Sequence, residues 1–146
     1  MPELRELYPD VILKHKKRPH NLYILETANR KAEGYNPLCG DRLTMYLEVQ
    51  DNVIRNASFQ GSGCAISQAS ASLLTDSIKG KTVCEAEELF NRVHWMLNSD
   101  RNASTGSARL GELSVLASVR GFPTRVECAS MAWQTLMEVL RHPQKC

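Results

Sequence analysis

The residues of this sequence best able to do chemistry are its five cysteines, Cys39, Cys64, Cys84, Cys128 and Cys146. In Cys39-Gly40-Asp41 a thiol and a carboxylate are separated by one residue without a side chain, so both could reach a single ion. Taken alone, the triplet is equally compatible with a turn that happens to contain an aspartate. Cys64 follows Gly61-Ser62-Gly63 at the entry to a helical pattern, and the spacing places Cys128 in the first turn of the last helix. At a helix start the unpaired backbone N–H groups and the dipole favour a thiolate, the form that metals and sulfur acceptors require. Either cysteine by itself reads as a small core residue, because buried free cysteines are common. Cys84 also lies in a first helical turn and is assigned to structure. Cys146 ends the sequence and is expected to have no fixed partner.

If Cys39, Asp41, Cys64 and Cys128 converge, three sulfurs and one oxygen suit tetrahedral zinc. Four anionic ligands around Zn2+ would leave an excess of about two negative charges, which a neighbouring cation should offset. Arg125, three residues before Cys128, is the candidate. A helix-start arginine opposes the positive end of the dipole, so a purely superficial role suits it poorly. His15, His20, His94 and His142 include no pair at metal-ligand spacing and no local cysteine-protease signature, which sets aside a Cys-His hydrolase. An odd number of widely spaced cysteines is also a poor disulfide framework.

The bulk properties bound the partners. With 146 residues the sequence suits a single domain, 1–146, around one core. Eighteen Lys and Arg against sixteen Asp and Glu give a charge of +2, not the strongly basic balance of a nucleic-acid binder. No apolar run has the length of a signal-peptide core or of a spanning helix, so the expectation is a soluble cytoplasmic protein with no membrane partner.

The elements that must position the cysteines follow from periodicity. Leu4 to Arg18 reads as a helix, with Pro9 as a kink or late start and Lys14-His15-Lys16-Lys17-Arg18 as a solvated basic end. Asn21 to Leu38 reads mostly as loop with room for one short strand. Leu43 to Val49 alternates as a half-buried strand, Gln50-Asp51-Asn52 turns, and Val53 to Gln60 completes a hairpin in which Arg55, Ala57 and Phe59 oppose Ile54, Asn56 and Ser58. A helix then runs from the glycine-rich turn to a stop at Gly80. Thr82 and Glu85 form a capping box for a second, reaching about Asn98. Ser99 to Ser107 reads as an exposed connection before a short helix around Leu110 to Val119. Thr124 and Glu127 form a second capping box for the last helix, which Pro143 stops.

Three segments resemble the cysteine motifs of the SufU, IscU and NifU N-terminal family: Asn36-Pro37-Leu38-Cys39-Gly40-Asp41, Gly61-Ser62-Gly63-Cys64-Ala65-Ile66-Ser67, and Phe122-Pro123-Thr124-Arg125-Val126-Glu127-Cys128-Ala129. His15-Lys16-Lys17-Arg18-Pro19-His20-Asn21 is similar to the family's His-x-x-x-Pro-x-Asn segment. The interval from Cys64 to Cys128, the Ser99 to Leu110 insertion and Trp133 resemble the SufU branch. IscU-type proteins carry a histidine immediately before the third cysteine, where this sequence has Glu127; that removes one possible ligand and makes the surroundings more negative.

The resemblance implies an α+β fold, with a small antiparallel sheet covered on one face by several helices and the metal site at one end. It implies a SufS-type cysteine desulfurase as partner, with Cys39 as acceptor of the persulfide sulfur and Asp41, Cys64 and Cys128 retaining zinc. Arg125 would help to hold the anionic site. A zinc-bound thiolate is deprotonated yet has its lone pairs engaged, so its release would be the switch. Downstream iron–sulfur assembly proteins or apo-proteins would receive the sulfur. The alternative is a scaffold, in which the same four ligands hold a nascent iron–sulfur cluster; a zinc site that only stabilises the fold is a third reading.

Overall fold

The computed structural model describes residues 10–37, 40–98, 113, 116, 119 and 122–140. Strands β1 (Arg30–Asn36), β2 (Asp41–Gln50) and β3 (Val53–Ser62) form an antiparallel sheet in that order. Helices α1 (Asp10–Lys17), α2 (Ala65–Ile78), α3 (Val83–Asn98) and α4 (Pro123–Leu140) complete the described elements. Leu43, Met45, Leu47 and Val49 of β2 are buried, while Thr44, Tyr46 and Glu48 point away from the core, as the alternation of the sequence requires. The buried face of the sheet meets α2 and α4, whose Ile66, Leu74, Trp133 and Leu136 fill the core. This is the expected α+β arrangement, one sheet face covered by helices.

The hairpin between β2 and β3 turns on Asp51 and Asn52, both with positive φ (52° and 64°), as a two-residue turn matching the twist of its strands requires. One expectation fails beside it. Glu48 pairs with Asn56 but Val49 pairs with Ile54, leaving Arg55 as the extra residue of a β-bulge. The bulge reverses the facing of the strand, so Ile54 is buried with Ala57 and Phe59 rather than opposing them.

Strand β1 was expected only as a short strand within loop; it has seven residues. Its inward positions are Arg30, Ala32, Gly34 and Asn36, too small or too polar to register as an apolar alternation. The small residues are there because α4 passes close: a Cβ on Gly34 would lie 2.1 Å from Oγ1 of Thr135.

Helix α2 is buried along most of its length, and its polar side chains are bonded. Ser70 Oγ donates to the carbonyl of Ala129 at 2.7 Å, tying α2 to α4. On another face, Nδ1 of His15 lies 2.6 Å from Ser72 Oγ, which also accepts the backbone N–H of His20 at 2.7 Å. The basic end of α1 is therefore not uniformly solvated: Lys14, Lys17 and Arg18 are exposed, but His15 is buried. The described helix begins at Asp10; the part expected from Leu4 lies outside the described residues.

Asn21 completes this attachment. In left-handed conformation (φ 63°), it donates from Nδ2 to Thr75 Oγ1 (3.0 Å) and Asp76 Oδ1 (2.9 Å) and accepts from Lys79 Nζ. Its carbonyl accepts the N–H of Phe59 on β3. Asn21→Gly retains the backbone preference and loses the side-chain bonds, so it is expected to cost about 1 kcal/mol; Asn21→Ala adds left-handed strain for a total of about 2 kcal/mol. Urea unfolding at constant m would check this, and equal costs would show that the backbone conformation is immaterial.

The capping box of α3 is present: Thr82 N donates to Glu85 Oε1 (2.9 Å) and Glu85 N to Thr82 Oγ1 (3.1 Å). The backbone bond from Thr82, and then its side-chain bond, hold the Glu85 carboxyl below its ordinary range. The second expected box does not open α4. That helix starts at Pro123, with Val126 N bonded to the Phe122 carbonyl (3.0 Å), so Thr124 lies inside it. Proline at the first helical position loses an N–H that would have no helical partner anyway. Cys128 consequently sits in the second turn, beyond the unpaired N–H groups of the helix start.

The expected connection at Ser99 to Ser107, Pro143 and Cys146 lie outside the described residues. Of the expected helix at Leu110 to Val119, the described Leu113, Leu116 and Val119 all belong to the core. Among the described residues, no helix is long and apolar enough to cross a membrane.

Candidate metal centre

The site lies at one end of the sheet, where β1 finishes, β2 starts, and β3 passes into α2. Asp41 is the first residue of β2 and is almost wholly buried, at 1% exposure. Its Oδ1 accepts the backbone N–H of Cys64 at 3.0 Å, which fixes the carboxylate against the turn preceding α2. Cys64 is the N-cap of α2, with extended φ and ψ of −72° and 170°, and its side chain makes no capping bond. The sulfur is instead 3.8 Å from Asp41 Oδ2 and 3.8 Å from Ser67 Oγ. Cys128 enters from α4, 3% exposed.

One ligand atom from each of Asp41, Cys64 and Cys128 lies within 4.8 Å of the others. Tetrahedral zinc with Zn–S near 2.3 Å sets its ligand atoms roughly 3.4–3.8 Å apart, so a contraction of about 1 Å would close the group on an ion. A carboxylate this deeply buried is costly without a counter-charge, and two sulfurs beside it complete a donor set suited to a divalent, borderline-soft metal. The residues present therefore fit zinc.

Of the four ligands expected from the sequence, the structure brings together Asp41, Cys64 and Cys128. Cys39 lies outside the described residues, between Pro37 and Gly40, which are described. Arg125 is half-buried on α4, one turn before Cys128, with its guanidinium 4.7 Å from the centre of the Phe122 ring. Glu127 is exposed. Cys84, assigned to structure from the sequence, is disulfide-bonded, although its wide spacing from the other cysteines gave no sign of a bridge.

Three contributors stand within the motif segments but were given no role at the site. Asn36, the last residue of β1, donates from Nδ2 to Cys128 Sγ at 3.7 Å. Ser67 stands one turn into α2 with its hydroxyl bonded to the Cys64 carbonyl (3.1 Å) and close to the Cys64 sulfur. Gly63 leaves room for both Ser67 and Asp41: a Cβ there would lie 2.5 Å from Ser67 Oγ and 2.6 Å from Asp41 Oδ1. A glycine immediately before a candidate ligand was the available signal.

Residues 7–129 match the family described as the NifU-like N terminal domain. The chain belongs to this family. Among relatives of this NifU-like domain, the iron–sulfur cluster assembly scaffold protein IscU of Thermotoga maritima is 36% identical over 135 residues, covering 92% of this chain and 93% of its own length. The zinc-dependent sulfurtransferase SufU of Bacillus subtilis is 35% identical over 133 residues, covering 91% and 88%. A crystal structure of a candidate SUF-system scaffold from Fervidobacterium islandicum superposes on the NifU-like domain with a TM-score of 0.85 at 31% identity, covering 95% of this chain and all of that one.

Proposed function

We propose that this protein is a zinc-dependent sulfurtransferase that accepts sulfane sulfur from a SufS-type cysteine desulfurase for iron–sulfur cluster assembly. The observation that carries the reading is the convergence of Asp41, Cys64 and Cys128 from three separate elements onto a group 4.8 Å across. Similarity to the zinc-dependent sulfurtransferase of B. subtilis supports the metal and the reaction.

In this proposal Asp41, Cys64 and Cys128 retain the metal, Cys39 is the reacting ligand, and Arg125 offsets the negative charge. Bound zinc keeps its thiolate ligands deprotonated near neutral pH. The Cys39 thiolate attacks the outer sulfur of the desulfurase persulfide. An S–S bond forms to Cys39, the S–S bond of the desulfurase breaks, and its cysteine leaves as a thiolate, so sulfur moves without any external oxidant or reductant. The single domain, 1–146, would act in the cytoplasm and pass sulfur to downstream iron–sulfur assembly proteins or apo-proteins.

A second reading has its own support: the relatives from T. maritima and Streptococcus pyogenes are named scaffold proteins. There the same residues would hold a nascent iron–sulfur cluster for transfer to apo-proteins. Desulfurase turnover, measured with and without the zinc-loaded chain while mass spectrometry locates added sulfur, tests the first reading. Stimulation with a persulfide on Cys39, both lost in Cys39→Ala with zinc retained, is the expected result. Cluster reconstitution and transfer without either would favour the scaffold, and zinc binding with no sulfur reaction would leave a structural site.

A further inference from the structure

We propose that Asn36 is a positioning residue that holds the Cys128 sulfur in its ligating orientation, an inference that rests on the metal-site reading above. The inward positions of β1 nearest to it, Ala32 and Gly34, are small, and Arg30 begins the same face at the far end of the strand. Asn36 continues that inward series, yet it is an amide and only 5% exposed. A buried amide is costly unless it is bonded, and Nδ2 lies 3.7 Å from Cys128 Sγ, a separation suited to an N–H···S contact because sulfur is larger than oxygen. Only the NH2 end of the amide can face a thiolate favourably; the carbonyl end would repel it.

The backbone shows why this position matters. Asn36 and Asp41 are register partners at the base of the β1–β2 connection, and the Asn36 carbonyl accepts Gly40 N–H at 2.8 Å. The two facing residues thus serve different ligands: Asp41 is bonded to the Cys64 backbone, and Asn36 to the Cys128 sulfur. One strand pair ties the start of α2 and the second turn of α4 to the base of the segment that carries Cys39. Asn36 supplies a donor to sulfur without adding charge, whereas aspartate of nearly the same shape would place a further anion beside an anionic ligand set. Its role is to keep Cys128 on the metal while Cys39 turns over.

The test uses the full chain as wild type, Asn36→Ala and Asn36→Asp. Zinc affinity is measured by competition with a chromophoric chelator, the sulfur-to-metal band is read after cobalt(II) loading, and metal-free melting is recorded for each. Asn36→Ala is expected to weaken zinc by about 10- to 100-fold, the usual effect of losing a partner that orients a ligand. Its cobalt band should move to longer wavelength, because a sulfur relieved of a hydrogen bond donates more strongly. Asn36→Asp should bind more weakly still. Folded variants with zinc affinity within about twofold of wild type and an unmoved band would overturn the role, as would a zinc loss that merely follows the melting temperature. Because aspartate is nearly isosteric with asparagine, a folding failure confined to the alanine variant leaves the test intact. A wild-type chain that takes up neither zinc nor cobalt would overturn the metal-site reading itself.

Discussion

Gly63→Ala is expected to lower zinc affinity by at least about a hundredfold, close to 3 kcal/mol, while the metal-free chain still folds. The reason is space rather than backbone freedom, since Gly63 is not among the glycines with positive φ. A methyl group at this position would lie 2.6 Å from Asp41 Oδ1 and 2.8 Å from Asp41 Cγ, well inside contact distance. Asp41 is buried and pinned at the start of β2 by the Cys64 N–H, so the carboxylate has to turn away and lose that bond. It would then leave the group formed with the two sulfurs. The 2.5 Å approach to Ser67 Oγ is cheaper to relieve, because a hydroxyl can change rotamer. Ser67→Ala should therefore fail to rescue Gly63→Ala. Chelator competition on both variants checks this, and full recovery in the double variant would place the damage at Ser67 instead of Asp41.

Asp41, Cys64 and Cys128 were legible as candidates because each stands at a local feature of the sequence, although none is decisive alone. Cys39-Gly40-Asp41, a cysteine after a glycine-rich turn, and a cysteine near a helix start are local features. Strand β2, the Asp51-Asn52 turn and the α3 capping box were legible for the same reason, since each is decided within a few residues. The bulge at Arg55 was not, because it depends on which residue of β2 faces which of β3. Nor was the place of Cys128 within α4: Thr124 and Glu127 imitate a capping box, and Pro123 takes the helix start two residues earlier than that box would. Asn36 fell in a stretch read mostly as loop because its meaning comes from a sulfur 92 residues away. Strand β1 was obscured by its own inward glycine, which answers to a helix late in the sequence.

That glycine carries the second large effect. Gly34→Ala would add a Cβ 2.1 Å from Thr135 Oγ1 and 3.4 Å from Met131 Cγ, against a helix face that is already buried. Thr135 is not free to turn at no cost, because its hydroxyl donates to the Met131 carbonyl at 2.8 Å. Overpacking of this kind costs about 1–3 kcal/mol, and the gain of about 0.5–1 kcal/mol from removing a strand glycine offsets only part of it. Thr135→Ala vacates the space that the new methyl needs, so the double variant should be more stable than the two single effects added together, by about 1–2 kcal/mol. The same pair reports on the site. Thr135 lies two helical turns beyond Cys128 on the same face of α4, so pushing the helix away from β1 also draws the Cys128 sulfur from Asp41 and Cys64. Zinc affinity should fall in Gly34→Ala and recover with Thr135→Ala. Strict additivity in urea unfolding would mean that α4 does not meet β1 through this contact. A stability loss without a zinc effect would mean that α4 yields locally at Thr135 and leaves its first turns, and Cys128 with them, in place.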